Sequence, residues 1–330
     1  MTKNKKGLLI YNQVDYDKNK WFVNELLTTA PQFGLDLSLV LREELILTIE
    51  ESKFFAFQHQ SKSDLSLTSD SCTQSRSDLS LTSDVSTNAG QDLSLNADLS
   101  PIHVEFVINR TRDSIVATHF EKMGCKVFNN SEVTELCNHK GKTHQLINCA
   151  GIPSVKTLLG NIHHFNPSHL PFDYPVILKS VSGHGGDEVY KLQNKAELID
   201  ALKSLRTEDF VLQELCTNPG IDVRVFALGG KILGSVKRIS TSSFKSNYSL
   251  GGSAITYSLT PEEEAIVHKI LSLANFDFVG IDFIFNKEGQ FLFNEIEDVV
   301  GTRTLYLNYD INVVALFLEH IATTLTKKER

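Results

Sequence analysis

The chain has 330 residues and a mass of 36.9 kDa, enough for two or three packed units, with 41% hydrophobic and 22% charged residues in ordinary globular proportion. The formal charge is −8, and the stretch 58–100 alone carries six Asp against Lys62 and Arg76, a net of −4. The remainder is mildly acidic and shows no basic stripe, which disfavours nucleic acid as a partner.

Residues 7–11 (Gly-Leu-Leu-Ile-Tyr) read as a buried strand, 18–33 as a helix, and 35–41 and 102–108 as further short apolar runs. Helical segments are expected at 113–123 and 140–150, so the first third predicts a Rossmann-like α/β unit on a parallel sheet. An insertion interrupts it. Ser-Asp-Leu-Ser-Leu-Thr-Ser-Asp occurs at 63–70 and again at 77–84, with a decayed copy, Gln-Asp-Leu-Ser-Leu, at 91–95. From 58 to 100 no aromatic residue occurs, so little apolar surface offsets chain entropy; a disordered tandem duplication is expected, with short Leu-Ser-Leu strands as the other reading.

A second unit opens near 135. Pro175–Lys179 is a predicted strand leading into the glycine-rich loop Ser182–Gly186; a strand follows at 188–192, a helix at 195–205 and a strand at 210–214. The third unit, from about 217, offers strands at 222–228 and 231–239, a flexible segment at 240–254 and a helix from Thr260-Pro261-Glu262, with Thr as N-cap and Pro at N1. Strands at 278–285 and 290–297 form a hairpin around Asn286–Gly289.

That hairpin concentrates charge. Side chains alternate along a strand, so Glu295 and Glu297 share a face. A four-residue turn would set Phe285 against Gln290 and Asp282 against Phe293, which leaves Asp282 diagonal to Glu295. Carboxylates gathered on an apolar hairpin repel unless a cation sits among them, and hard oxygen ligands suit Mg²⁺. Acids at an exposed sheet edge would give the same spacing. Gly183, Gly185 and Gly186 would let backbone N–H groups approach phosphate oxygens, with Lys179 just before them; an ordinary hairpin loop is equally consistent. His163, His164 and His169, beside Pro167 and Pro171, read as solvated loop histidines rather than a metal cluster.

In order along the chain stand Lys140, Lys179 with its glycine loop, Gln213-Glu-Leu-Cys216, Asp222-x-Arg224, Lys237-Arg238, Phe244-Lys-Ser-Asn247, Gly251-Gly252, Gly280-x-Asp282 and Asn294-Glu-x-Glu297. Together they resemble the RimK-type ATP-grasp carboxylate–amine ligases over roughly residues 102–325. The resemblance implies an α/β ATP-grasp fold behind a Rossmann-like N-terminal domain. Its divisions would be 1–134, with 58–100 inserted; 135–216 as the central lobe; and 217–330 as the C-terminal lobe.

The resemblance also implies roles. Lys140 and Lys179 would hold ATP phosphates, with Gly183, Gly185 and Gly186 above them. Glu214 and Leu215 would meet the adenine edge, and Asp222, Lys245, Ser246 and Asn247 would contact the nucleotide. Asp282, Glu295 and Glu297 would ligate Mg²⁺, with Mn²⁺ as an alternative. Arg224 and Arg238 would line the side where the substrate carboxylate and developing phosphate charge sit. Three departures stand out. Glu297 replaces the family's usual Asn, Val299-Val300-Gly301 replaces a family-like Ser-Pro-Gly in the run 297–303 that would border the substrate side, and Lys245 replaces an Arg, which keeps the charge and loses the bidentate fork.

The implied activity joins a carboxylate to an amine, on an amino acid or peptide, through an acyl phosphate with release of ADP and phosphate. A polyol kinase on the same scaffold and a non-catalytic nucleotide-binding regulator are the other readings. The expected partners are ATP and small-molecule or peptide carboxylates and amines, and homo-oligomerisation is left open. Five scattered cysteines without a C-x-x-C pair suggest reduced thiols in the cytoplasm. The apolar run at 7–10 is too short for a signal-peptide core, and no run approaches the ~20 apolar residues of a membrane span.

Overall fold

The computed structural model describes residues 4–59, 99–240, 243–245 and 252–327. Most of the repeat insertion, Cys72, Ser246, Asn247 and Gly251 lie outside the described residues.

The chain opens with strand β1 (Lys5–Tyr11), helix α1 (Gln13–Thr29), β2 (Leu35–Leu41), and the antiparallel strands β3 (Leu45–Glu50), β4 (Lys53–His59) and β5 (Leu99–Pro101). It then returns through β6 (Phe106–Asn109), α2 (Ser114–Lys122) and β7 (Lys126–Phe128). β1 pairs in parallel with β2 and β6, and β6 with β7, giving the order β2-β1-β6-β7. The expected parallel sheet is therefore present, and Leu8 through Tyr11 are at most 2% exposed because helices cover both of its faces. Asn12 caps α1 by accepting from Asp15 N at 2.8 Å, and Asp113 caps α2 by accepting from Ile115 N at 2.9 Å. The β3–β4–β5 sheet was not expected. Its last pairing, His59 with Leu99, brings the two ends of the insertion onto neighbouring strands.

Two short helices follow, α3 (Ser131–Cys137) and α4 (Lys140–Cys149). β8 (Thr157–Asn161), β9 (Val176–Ser180), β10 (Val189–Leu192), helix α5 (Lys195–Lys203) and β11 (Asp209–Glu214) build an antiparallel sheet ordered β10-β9-β11-β8. The glycine loop joins β9 to β10. A five-stranded antiparallel sheet, order β14-β13-β12-β15-β16, comes next. Its strands are β12 (Ile221–Leu228), β13 (Lys231–Ile239), β14 (Ser253–Thr256), β15 (Phe278–Phe285) and β16 (Phe291–Glu297), with α6 (Pro261–Leu271) between β14 and β15. The expected Thr260 cap is a full capping box: Thr260 Oγ1 accepts from Glu263 N at 3.2 Å, and Glu263 accepts from Thr260 N at 2.8 Å. α7 (Arg303–Asn308) and α8 (Val313–Lys327) close the chain.

One core runs through both ends of the sequence. Leu9, Phe22 and Phe106 from the parallel sheet and α1 pack in a single cluster with Phe226, Phe278 and Phe317 from the last third. Asn129, 4% exposed, fastens the same seam: its Nδ2 donates to Phe278 O at 2.8 Å and Asp298 O at 3.1 Å, while its Oδ1 accepts from Asp277 N at 2.8 Å and Phe278 N at 3.0 Å. These contacts set the N-terminal unit over one side of the large sheet and leave a cleft between that sheet and the central one.

Candidate active site

The final hairpin corrects the expected register. Phe285 pairs with Phe291, not Gln290, because Asn286 Oδ1 accepts from Glu288 N at 3.0 Å and Gln290 N at 2.8 Å and draws Gln290 into the turn. A bulge at Asn294 then adds a second slip, so Asp282 lies directly opposite Glu295 rather than diagonal to it. The acids share one wall, as alternation required. Their surroundings differ from the expectation: among the described residues no three acid, His or Cys side chains are grouped closely enough to hold one metal ion. Each acid has a cation instead.

Asp282, 4% exposed, accepts from Arg224 Nε and Nη2, both at 2.7 Å, and from Arg238 Nη2 at 2.8 Å. Burial alone would raise its pKa, yet the two guanidinium charges outweigh that and hold it at about 2. Glu297 lies 2.7 Å from Arg224 Nη1, and burial nonetheless pushes its pKa up. Glu295 lies 2.9 Å from Lys140 Nζ; burial opposes ionisation there too, but Lys140 and Lys179 pull its pKa down. Like charges crowded in a low-dielectric wall must be neutralised, and these bases are the groups within reach.

The lysines are placed by secondary structure. Lys140 is the first residue of α4 and 6% exposed; besides Glu295 it donates to the carbonyl of Gly183 in the glycine loop. Lys179 sits in buried β9, 8% exposed, and donates to Asn294 Oδ1 at 2.9 Å. Burial lowers its pKa to about 8 against the opposing pull of Glu295. Lys245 reaches across the cleft from the third unit to Gly186 O at 2.7 Å. Gly185 and Gly186 take positive φ of 62° and 82°, the left-handed conformation that turns the loop back over the cleft.

One cavity of about 120 Å³ is lined by Lys140, Lys179, Gly183, Gly185, Gly186, Glu214, Leu215, Asp222, Lys245, Asp282, Glu295 and Glu297. Every expected nucleotide and metal residue within the described set therefore meets in one place. Asp222 carries a second load: its Oδ1 and Oδ2 accept from Arg238 Nε and Nη2 at 2.7 and 2.5 Å. A larger cavity of about 680 Å³ adjoins the first, sharing with it Gly183, His184, Gly185, Glu295 and Glu297, and it contains Arg224 and Arg238. Thr302 and Arg303, from the run 297–303 expected to border the substrate side, line it, and so do residues the sequence reading missed: Asp15, Trp21, Phe22, Arg110 and Arg112 from the N-terminal unit, and Tyr306 from the last third. Such residues come from distant segments, and no local spacing announces them. His184 and Asn294 had a signal, since both stand inside motifs already singled out. His163, His164 and His169 are exposed, as expected.

A strand–glycine-loop–strand lobe facing a five-stranded antiparallel lobe across a lysine- and acid-lined cleft is the fold of the ATP-grasp ligases. D-alanine–D-alanine ligase from Bacillus anthracis, solved with ATP, superposes with a TM-score of 0.65 at 12% identity over all of both chains. D-cycloserine synthetase DcsG gives 0.64 at 11% identity, over 97% of this chain and 99% of that one. The family model for the RimK-like ATP-grasp domain matches residues 137–321, and the chain belongs to that family.

Among curated proteins, human N-acetylaspartylglutamate synthase A is 28% identical over 224 residues, 66% of this chain and 57% of that protein. Beta-citrylglutamate synthase B of Danio rerio is 31% identical over 196 residues, 57% of this chain and 48% of that one. The chain thus spans about half the length of these relatives. A Mycoplasma pneumoniae protein described as "Uncharacterized protein MG011 homolog" is 25% identical over 307 residues, 92% of this chain and 87% of its own.

Proposed function

We propose that this protein is an ATP-dependent ligase that joins a carboxylate to an amine through an acyl phosphate and releases ADP and phosphate. The observation that carries the reading is the meeting of two cavities, one lysine- and glycine-lined, the other arginine-lined, at Gly183–Gly185 and the Glu295/Glu297 wall. A phosphoryl group bound between Lys140 and Lys179 would lie at that junction, facing any carboxylate held by Arg224 and Arg238. A carboxylate oxygen is a poor leaving group, whereas the phosphate of an acyl phosphate departs readily when an amine attacks. The residues' work is positioning and charge stabilisation. The relatives' names, synthases of N-acetylaspartylglutamate and of beta-citrylglutamate, favour small carboxylates and an amino-acid amine as the substrate class.

The donor set on the hairpin fits a hard divalent cation in type, and Asp282, Glu295 and Glu297 would hold Mg²⁺ once Lys140, Arg224 and Arg238 release their shares of them. When bound, the ion would neutralise phosphate oxygens. Arg224 and Lys140 would then be freed toward substrate and phosphate. Ser246 and Asn247 keep their proposed nucleotide contacts on family resemblance alone. The division at about 134 and 216 remains our reading of the chain, as does a cytoplasmic location; among the described residues no helix is long and apolar enough to cross a membrane.

The test is ADP and AMP measured from ATP against a panel of carboxylates and amines, singly and paired. ADP with phosphate, at full rate only with a pair, is expected. Stoichiometric AMP would overturn the acyl-phosphate route, and ADP formed with a lone polyol would favour a kinase.

A further inference from the structure

The larger cavity contains a cation that the chemistry above leaves unused. Arg110 follows β6 at the carboxyl edge of the parallel sheet, where open α/β sheets place their ligands, and is 6% exposed. Its Nη2 donates to Val300 O at 2.9 Å, its guanidinium lies over the Phe22 ring at 5.6 Å, and its Nε meets no partner. Of the other arginines of this cavity wall, the exposed Arg303 donates to Lys18 O at 2.9 Å and the remaining three are paired with acids. Arg112 is 2.6 Å from Asp15, and Arg224 and Arg238 are fully engaged with acids. Among the described residues Arg110 forms no ion pair. The buried acid near it, Asp298, accepts instead from Asn138 Nδ2 at 2.9 Å.

Asp298 feels the Arg110 charge without pairing with it, and the buried Arg110 Nε stays without a hydrogen-bond partner, a costly arrangement that the planar oxygens of a carboxylate would relieve. Arg110 lines the cavity, so the missing anion has room there. We propose that Arg110 anchors an anionic group of the substrate other than the carboxylate that reacts. The substrate of this cavity would then carry two negative groups. This rests on the ligase reading for which anion is activated.

Val300 stands close to both arginines: its carbonyl accepts from Arg110, and a Cβ placed on Gly280 would meet both Val300 Cγ2, at 2.5 Å, and Arg224 Cδ, at 3.4 Å. Arg110 and Arg224 line the same cavity, so a two-headed anion bound there has a cation for each end.

Trp21 is the chain's only tryptophan and lines this cavity, so its emission reports on occupancy. Succinate, glutarate and adipate would each be titrated against the corresponding monoamide, which keeps the shape and loses one charge. At least one diacid should bind about tenfold more tightly than its monoamide, the scale of a charge-assisted pair. Arg110→Met should bring that diacid down to its monoamide's affinity without changing the monoamide. Arg110→Lys should keep a weaker preference, because charge remains while the fork is lost. No preference in the parent, or the parental preference in Arg110→Met, would overturn the assignment. If Arg110→Met fails to fold by circular dichroism, Arg110→Lys decides: an undiminished preference overturns the proposal, and a reduced one supports it. ADP release is scored separately. Diacid preference through Arg110 without ATP turnover would sink the ligase reading and leave the anion anchor standing.

Discussion

Charge pairing decides what single substitutions do in the cleft. Glu295 faces both Lys140 and Asp282, so Glu295→Gln removes a proposed metal ligand and leaves a buried ammonium with only the Gly183 carbonyl. Turnover should fall by more than ~100-fold, with a stability loss of about 3–5 kcal/mol, since a buried pair broken on one side leaves its partner uncompensated. Parental ADP release with Mg²⁺ would show that this hairpin is not the metal site. Glu297→Asn should be milder, within roughly tenfold of parent, because Arg224 keeps its two bonds to Asp282 and an amide oxygen can still ligate. His144 gives a pH signature. It is 3% exposed, and burial, aided by Lys179, lowers its pKa to about 4 from the ordinary 6.5. Its folded pKa lies below the unfolded one, so its contribution is present above pH 6.5 and lost as pH falls toward 4. Urea titrations at pH 7 and pH 5 should show the parent losing about 2 kcal/mol more than His144→Gln, which keeps an acceptor for Gln213 Nε2. Equal losses in the two proteins would mean that His144 titrates normally.

Among the elements, the strands were the most legible in the sequence and their registers the least. Apolar runs marked β1, β9, β12, β13 and β15 to within one or two residues, since strands buried on a face must be apolar there. What alternation cannot reveal is a bulge. One between Phe226 and Ala227 sets Asp222 opposite Arg238, and another at Asn294 sets Asp282 opposite Glu295. Both ion-pair sets of the cleft therefore depend on single-residue slips without a residue signature. The β3–β4–β5 sheet escaped notice because a Ser/Asp-rich insertion separates its last two strands. Its geometry makes a prediction about that insertion. His59 and Leu99 are paired neighbours, so a two- to four-residue turn in place of 61–97 closes the same hairpin. Shortening a loop changes its closure cost by only ~0.6 kcal/mol per halving. Melting temperature and ATP turnover of the deletion variant should stay near those of the parent. A melting temperature lowered by more than about 5 °C would show that the repeats pack on the body.

The whole molecule is tied end to end, a relation that no local reading of the sequence contained. Motif order brought the candidate nucleotide residues together in one cleft because they stand on neighbouring strands and turns. The larger cavity instead needs α1 and the carboxyl edge of the parallel sheet brought against α7, and that docking rests on the shared core of Leu9, Phe22, Phe106, Phe278 and Phe317. Phe317, 2% exposed on α8, lies 5.4 Å from Phe278 between ring centroids. Trp21 on α1 meets Tyr306 edge-on at 5.2 Å, so its emission watches the N-terminal side of the same seam. If the core is one cooperative unit, Phe317→Ala should cost about 3–5 kcal/mol and lower the melting temperature by roughly 5–10 °C. Trp21 emission and far-UV circular dichroism should shift together, since coincident transitions by different probes mark an all-or-none process. The N-terminal unit would otherwise melt on its own, and Trp21 emission would keep its parental midpoint while the dichroism of the remainder moved. That outcome would remove the mechanical link by which an anion held at Arg110 is kept in register with Arg224.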